Sequence, residues 1–298
     1  MGTETFRVMD EKGRLSKEGF IENGLESGTW YTYFDDGQIE TIKQYTEGRP
    51  SGVWKTFFED GILSSEISYG DDGEKELVKI YTVDGSIWSE SSYSDGEMNG
   101  LSIDYWDNGK IRSESFYQNN KIHGEKKSYS EDGILESISE FSNGKLDGTT
   151  EKYYSSGQVE SSKVYQDGNL IQKIEYYENG KPKSVSHLEN NTLHGVQKKY
   201  YESGQLEFEG NYENGVQHGD FKFYYPDGTL KSVTPFWKSV FSGLKIEYYP
   251  SGKTKKSEMY DMSGQLNGER KEFSEHGNIT VYQVWKNGRM TKDLLNKS

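Results

Sequence analysis

Glycine recurs along the whole chain with a period of 24 residues. The spacing departs from 24 only twice, with 23 residues before Gly180 and 25 before Gly277. The twelve glycines of this first column are Gly13, Gly37, Gly61, Gly85, Gly109, Gly133, Gly157, Gly180, Gly204, Gly228, Gly252 and Gly277. A fixed period of this length indicates a repeat protein, in which each copy is a small unit that packs on its neighbours.

Two further glycine columns follow the first. The second lies eleven residues downstream in most units, at Gly24, Gly48, Gly96, Gly144, Gly168 and Gly215, with Gly264 and Gly288 in the last two units. Asp72, Asn120 and Asn191 occur where this glycine is missing, and because Asp and Asn tolerate positive φ the position is predicted to be left-handed. Ser239 does not fit this expectation. The third column follows four residues after the second, at Gly28, Gly52, Gly100, Gly124, Gly148, Gly195, Gly219, Gly243 and Gly268.

Aromatic and aliphatic residues occupy fixed places between the glycines. Four residues before the first-column glycine stand Tyr33, Phe57, Tyr81, Tyr105, Tyr129, Tyr153, Tyr176, Tyr200, Tyr224, Tyr248 and Phe273. Two residues after it stand Leu15, Ile39, Leu63, Ile87, Ile111, Leu135, Val159, Leu206, Leu230 and Ile279. Eight residues after it stand Tyr45, Tyr69, Tyr93, Tyr117, Phe141, Tyr165, Tyr212, Phe236, Tyr260 and Trp285. Such runs between turn residues are typical of β-strands.

The turn residues predict the pairing of these strands. Pro226-Asp227-Gly228 and Pro250-Ser251-Gly252 suit a three-residue hairpin loop, because Pro presets the first φ and Gly accepts the left-handed third position. In this loop the residue four before Gly pairs with the residue two after it. Because alternate residues of a strand point to the same face, the aromatic eight residues after Gly is predicted to lie on the face that these two residues share. We call this side of the sheet the first face and interpret it as the scaffold.

The opposite side, the second face, carries the residue three before each first-column glycine. This position is aromatic in eight units, and we predict that these side chains bind a partner: Phe34, Phe58, Trp106, Tyr154, Tyr177, Tyr201, Tyr225 and Tyr249. It is polar in four others, at Asp10, Thr82, Ser130 and Ser274. Trp30, Trp54 and Phe221, seven before Gly, fall on the same face. Variation among copies is what a recognition surface requires.

These patterns predict an all-β fold. About twelve β-hairpin repeats of 24 residues form a twisted antiparallel sheet, elongated to roughly 110 Å if each strand adds about 4.8 Å. Residues 1–298 are expected to be a single continuous array, with residues 289–298 as a C-terminal cap or tail. Aromatic residues make up 14% of the chain, which favours a folded protein although only 31% of residues are hydrophobic.

Charge limits the classes of partner. The formal net charge is −14, and residues 1–150 carry 15 Lys and Arg against 30 Asp and Glu, so the whole net negative charge lies in the first half. This disfavours nucleic acid and anionic membranes as partners and suits a basic protein. The chain has no cysteine, which excludes disulfides and thiolate chemistry.

Three groups of polar residues suggest chemistry at first sight. A serine column (Ser65, Ser89, Ser113, Ser137, Ser161, Ser184 and Ser232) lies four residues after Gly, but a nucleophile would need one serine beside a base, so we interpret it as packing of the first face. His194 and His218 are one repeat apart, about 10 Å, which is too far for one metal. Acidic pairs such as Asp35-Asp36 are typical of turns. We therefore predict no catalytic residue, no metal and no cofactor.

The segment Phe208–Gly219 resembles the MORN repeat, whose pattern is aromatic-x-Gly-x-aromatic-x-x-Gly followed by His-Gly. Other units, such as Tyr45–Gly52 and Phe141–Gly148, keep only the later half and are similar to a bacterial variant of this repeat found in antitoxins of the YwqK type. The resemblance covers nearly the whole chain. It implies a hairpin array, and among its known roles are phospholipid binding and toxin neutralisation.

Three functions are consistent with the sequence. The first is a non-catalytic protein-binding scaffold, such as an antitoxin or immunity-like protein that masks a basic toxin. The alternatives are a carbohydrate or cell-surface binding module and a membrane-associated lipid-binding module. The chain is expected to be soluble and cytoplasmic by default, or secreted or on the surface if a signal peptide was removed. Its oligomeric state is not determined by the sequence.

Overall fold

A computed structural model describes residues 2–295, which contain 27 β-strands. None of these residues belongs to a helix, so this part of the chain holds no helix that could cross a membrane. Contacts within the chain define two units, Met1–Lys145 and Leu146–Ser298. The expected single continuous array over residues 1–298 stays a prediction.

The first unit is built from twelve strands, and each pairs with the next in antiparallel fashion. They are β1 (Thr3–Met9), β2 (Leu15–Glu22), β3 (Leu25–Tyr33), β4 (Ile39–Thr46), β5 (Arg49–Phe57), β6 (Leu63–Tyr69), β7 (Lys75–Tyr81), β8 (Ile87–Ser94), β9 (Glu97–Tyr105), β10 (Ile111–Gln118), β11 (Lys121–Tyr129) and β12 (Leu135–Ser142).

The second unit begins within β13 and is also an antiparallel sheet. Its strands are β13 (Lys145–Tyr153), β14 (Val159–Gln166), β15 (Asn169–Tyr176), β16 (Pro182–Glu189), β17 (Thr192–Leu193), β18 (Gly195–Tyr200), β19 (Leu206–Glu213), β20 (Val216–Tyr224), β21 (Leu230–Trp237), β22 (Val240–Phe241), β23 (Gly243–Tyr248), β24 (Thr254–Tyr260), β25 (Leu266–Phe273), β26 (Ile279–Lys286) and β27 (Arg289–Asp293). The predicted all-β hairpin array is confirmed. The C-terminal segment predicted as a cap or tail, 289–298, supplies β27, which pairs with β26, and its residues 296–298 lie outside the described residues.

The first-column glycines close the predicted three-residue loops. The Phe34 amide donates to the Gln38 carbonyl, the Gly37 amide donates to the Phe34 carbonyl, and Gly37 has a φ of 89°. The same two hydrogen bonds and a positive φ occur at all twelve glycines of the column. The predicted pairing of the residue four before Gly with the residue two after it is also confirmed, since Tyr33 pairs with Ile39 and Tyr224 pairs with Leu230.

Most positions of the second column form two-residue turns in which both residues are left-handed, whereas Gly264, with φ 80°, ends a three-residue loop. Asn119 and Asn120, for example, have φ of 50° and 63°. Ser239 adopts φ 64° and therefore follows the column, although its residue type did not indicate this. The prediction is wrong at Asp72, because that loop has three residues and Gly73, with φ 83°, takes the left-handed position.

The aromatic column eight residues after Gly lies on the second face, so its predicted place on the first face is wrong. Tyr33 pairs with Ile39, but the preceding Thr32 pairs with Thr41, so Glu40 is an extra residue in a β-bulge. Since Thr32 and Tyr33 point to opposite faces, Ile39 and Thr41 do so as well. The bulge recurs in every hairpin of this column whose ladder is described. Each aromatic of the column is therefore moved to the second face.

Replacement of Gly157 by valine tests the loop geometry. Gly157 has a φ of 85°, and a Cβ added there would have no atom within 4 Å, so the only cost is backbone strain. We expect the free energy of unfolding to fall by about 1–3 kcal/mol, because a β-branched residue is disfavoured at positive φ. Urea denaturation measures the change. Gly157→Asn is the control and should cost much less, and equal stability of the two variants would contradict the left-handed assignment.

Tyrosines four residues before Gly form hydrogen bonds with glutamates on the first face of the first unit. The hydroxyls donate to carboxylates over 2.7–2.9 Å, in the pairs Tyr33 and Glu18, Tyr81 and Glu66, Tyr105 and Glu90, and Tyr129 and Glu114. Burial, followed by the hydrogen bond to glutamate, raises the pKa of each of these tyrosines to about 12. These pairs connect successive repeats.

These pairs predict a loss of stability in alkali. An unfolded tyrosine has a pKa of about 10, so the raised pKa contributes stability that is fully present below pH 10 and is lost as the pH rises through about 12. We expect the melting temperature to fall across this window, in step with tyrosinate absorbance. In Tyr81→Phe the fall should be shallower than in the native chain. The same slope in both proteins would mean that these hydroxyls ionise normally.

Candidate groove on the second face

The second face of the first unit carries a row of packed aromatic rings, the first aromatic cluster. It consists of Phe6, Trp30, Tyr45, Trp54 and Tyr69, with successive ring centroids 4.7–6.4 Å apart. Trp30 retains only 2% of its surface. Its ring lies over Gly19, where a Cβ would be 2.2 Å from Trp30 Cδ2. This face is therefore packed at its centre rather than free for recognition.

The second unit repeats this arrangement in a second aromatic cluster. Its rings are Phe208, Tyr212, Phe221, Phe236, Phe241 and Tyr260, with neighbouring centroids 4.8–5.8 Å apart. Phe221 is 2% exposed and lies over Gly210. Phe223, two residues further along β20, packs on Phe208 at 5.0 Å but remains 40% exposed. One edge of the cluster is thus open to a ligand.

The aromatics predicted to bind a partner are half-buried and connect adjacent repeats. Each polar member donates to the backbone carbonyl of the residue four before Gly in the next repeat, over 2.7–3.0 Å. These pairs are Trp106 and Tyr129, Tyr154 and Tyr176, Tyr177 and Tyr200, Tyr201 and Tyr224, Tyr225 and Tyr248, and Tyr249 and Phe273. Burial raises the pKa of Tyr177 and Tyr201. Their role in stabilising the array is clear, and their role in binding stays a prediction.

Phe34 and Phe58 occupy the same position but have no polar group to donate. Phe34 lines a depression of about 410 Å³ together with the carboxylates of Glu40 and Glu59. The sequence placed all eight aromatics in one class. The structure separates these two, whose side chains donate no hydrogen bond, from the tyrosines of the second unit, and it places Phe34 in an acidic setting.

Lysines lie beside the tyrosines in the second unit. The Nζ atoms of Lys183, Lys231 and Lys255 are 5.7–5.8 Å from the ring centroids of Tyr177, Tyr225 and Tyr249, respectively. Each lysine is three residues after a first-column glycine and each tyrosine three before it. Each lysine is the extra residue of its bulge and follows a first-face residue, so it lies on the second face, within cation–π distance of the tyrosine ring. Sequence reasoning missed these lysines because it considered only aromatic positions on the second face.

Four depressions on the second face share lining residues and so form one continuous groove, the second-face groove. The depression around Tyr177, about 420 Å³, shares Lys199 and Glu207 with one of about 340 Å³ beside the second aromatic cluster. The latter shares Phe223 with a depression of about 370 Å³ around Tyr225. That depression shares Lys255 with the last, of about 250 Å³, around Tyr249.

Free positive charge lies along this groove. Lys183, Lys199, Lys231 and Lys255 are exposed, and none forms an ion pair with any residue in the range 2–295. Other groove lysines are paired, as Lys173 is with Glu175, and that hydrogen bond lowers the pKa of the Glu175 carboxyl. The second unit is neutral overall, with 20 Lys and Arg and 20 Asp and Glu in residues 146–298. Its positive potential is therefore local to the groove.

Some of the serines and histidines singled out in the sequence have local contacts. The serine column lies on the second face, not on the first as predicted, because it follows the bulge; the Ser113 hydroxyl donates to Asp104 at 2.8 Å. His194 Nδ1 lies 3.5 Å from Glu189, and the His218 ring lies 4.5 Å from Trp237. Residues 2–295 contain no group of three metal-ligating side chains.

A family model described as "MORN repeat variant" matches eight segments of the chain, which together include more than half of its residues. They are 26–47, 50–71, 98–119, 122–143, 146–167, 172–190, 193–214 and 217–238. No curated protein matches the chain.

Three solved structures are similar over 97% of this chain. One is a Tc holotoxin pore of Photorhabdus luminescens with the mutation TccC3-D651A (14% identity, TM-score 0.20, 17% of that chain covered). The others are described as TcdB2-TccC3 (11%, 0.19, 18%) and TcdB2-TccC3-Cdc42 (14%, 0.21, 19%). The chain spans less than a fifth of the length of these solved chains.

Proposed function

We propose that this chain, which belongs to the family of MORN repeat variants, is a non-catalytic scaffold that binds a protein partner through the second-face groove. The observation that carries the proposal is the exposed edge of the second aromatic cluster, at Phe223, between unpaired lysines. Protein interfaces favour aromatic side chains at their centre and polar groups at their rim. The groove offers both on a rigid sheet.

The first unit would contribute long-range attraction rather than specific contacts. Residues 1–145 carry 15 Lys and Arg against 29 Asp and Glu. Such a charge would accelerate the approach of a partner with a basic surface. The groove would then provide the contacts that determine which partner stays bound.

The finer proposal is that the partner is a toxin whose action the chain blocks, as in antitoxin or immunity proteins. The resemblance of repeats such as Tyr45–Gly52 to antitoxins of the YwqK type supports it. Co-expression of this chain with a toxin encoded by a neighbouring gene should then restore the growth of cells that the toxin inhibits. The groove variant Phe223→Ala should restore growth less than the native chain does. Full rescue by a groove variant would place toxin masking elsewhere on the chain.

The general proposal is tested by comparing neighbouring residues that point to opposite faces. A partner captured from the native host is purified and titrated with the native chain, Phe223→Ala and Lys222→Ala. Lys222 pairs with Val233 on the first face and is the matched control. We expect Phe223→Ala to weaken binding by about tenfold or more, as at an interface hot spot, and Lys222→Ala to leave it unchanged.

Two results would contradict the proposal. Equal affinities of the two variants would place the partner site outside the groove. Specific binding on a glycan array that Tyr201→Ala abolishes, without any protein partner, would favour the carbohydrate-binding alternative.

A further inference from the structure

We propose that the second-face groove binds an extended acidic polypeptide segment, with carboxylates at Lys183, Lys231 and Lys255 and one bulky apolar side chain beside Phe223. The inference rests on the proposed function and names the chemistry of the partner segment. It does not require that the whole partner be acidic.

The lysines are prepared for carboxylate binding. Lys231 and Lys255 are exposed, form no ion pair in the range 2–295, and have their amines near tyrosine rings. Those rings are themselves fixed by hydroxyl hydrogen bonds to the next repeat. A positioned, unpaired amine loses little conformational freedom when an anion binds.

An apolar side chain has one suitable place in the groove. The depression of about 340 Å³ is lined by Phe208, Tyr212 and Phe223, of which Phe223 is 40% exposed. Aromatic walls around a concave site suit a leucine or phenylalanine side chain, whose burial supplies the non-directional part of the affinity. Glu207 lines the same depression and would repel a carboxylate there.

The repeat spacing gives the spacing of the ligand. Two strands per repeat amount to roughly 10 Å, which an extended peptide crosses in about three residues. In four successive repeats the position three after Gly is occupied by Lys183, Glu207, Lys231 and Lys255. The complementary segment is therefore acidic at i, apolar at about i+3, and acidic at about i+6 and i+9.

A nucleic acid fits this groove less well than a peptide. Glu175, Glu207 and Glu247 line the same depressions as the lysines. A phosphate backbone is negative at every step and would meet these carboxylates, in a chain whose net charge is −14. A peptide can place neutral residues opposite them.

The test uses the full chain and a fluorescein-labelled peptide, Ser-Asp-Ser-Ser-Leu-Ser-Ser-Asp-Ser-Ser-Asp-Ser, measured by fluorescence anisotropy. We expect saturable binding of the peptide. The affinity should fall when the salt concentration is raised and when the peptide aspartates are replaced by asparagine. The charge reversals Lys231→Glu and Lys255→Glu together should weaken it about tenfold or more, and so should Ala for the peptide leucine. Lys286→Glu with Lys292→Glu, on β26 and β27, is the matched control and should change it less than about twofold.

Three results would overturn the inference. The first is that no binding is seen up to about 1 mM peptide, which corresponds to only about 4 kcal/mol of affinity. The second is that the control variant loses as much peptide affinity as the groove variant. The third is that oligouridine binds the groove more tightly than the peptide does. If the peptide is inert while the native partner still responds to Phe223→Ala, the proposed function survives and only the acidic segment is refuted.

Discussion

Replacement of Phe221 by alanine is expected to lower the free energy of unfolding by about 3–5 kcal/mol, one of the two largest effects expected of a single substitution. Phe221 is 2% exposed and touches the rings of Phe208, Tyr212 and Phe236. Removing its ring leaves a cavity between strands whose positions are fixed by their hydrogen bonds, so the sheet cannot close it. Urea denaturation followed by tryptophan fluorescence measures the loss.

Phe223→Ala is the matched control for this prediction. The two phenylalanines lie on the same strand and face, but Phe223 is 40% exposed. Its removal should cost only about 1–2 kcal/mol, because part of its ring is exposed already and no closed cavity is left. A stability loss as large as that of Phe221→Ala would show that Phe223 belongs to the core, and the groove would then lack its open edge.

Replacement of Gly210 by valine is expected to lower the free energy of unfolding by about 2–3 kcal/mol through overpacking. A Cβ at this position would lie 2.7 Å from Phe221 Cδ1 and 2.8 Å from Phe208 Cζ. Gly210 lies in β19 at a register shift of the ladder with β20, but its φ is not positive, so the rings rather than left-handed backbone oppose a valine there. The same denaturation measurement applies.

Ser139→Val is the control for Gly210→Val. Ser139 holds the same position in its repeat, six residues after Gly133, but it pairs with the flexible Lys126. We expect its stability to change by less than about 0.5 kcal/mol, as at an ordinary surface position. If Gly210→Val is equally harmless, the rings of the second aromatic cluster do not lie over the glycine as described.

These substitutions separate packing from binding on one face. Phe221 and Gly210 are expected to act through the fold alone, whereas Phe223 and Lys231 are expected to change affinity with a smaller change in stability. A sequence alignment of the repeats with one another does not make this distinction, because Phe221 and Phe223 are both aromatic residues close to the same turn.

Much of the local structure could be predicted from residue types. The 24-residue period located all twelve hairpin loops, and Pro226 with Gly228 indicated their type. The pairing of Tyr33 with Ile39 followed from the loop length. Each of these features depends on a few neighbouring residues, whose allowed φ values and side-chain alternation are properties of the chain itself.

The candidate site was predicted only in part. The tyrosine stripe from Tyr177 to Tyr249 was found, and the structure adds that its hydroxyls are bound to the next repeat. Lys183, Lys231 and Lys255, which give the groove its charge, were not found. Alternation already places the residue three after Gly on the second face, but only the structure shows that these amines lie beside the tyrosine rings.

The sequence by itself determined the repeat, its turns and its strands, while only the tertiary structure decided which side chains share a face beyond the bulge. An extra residue such as Glu40 leaves no mark in the alternation of side chains, because it is defined by which partner its neighbours bond to across the sheet. That choice depends on packing. Trp30 and Phe221 reach burial only if the aromatics eight residues after Gly turn to meet them, and the bulge is what turns them.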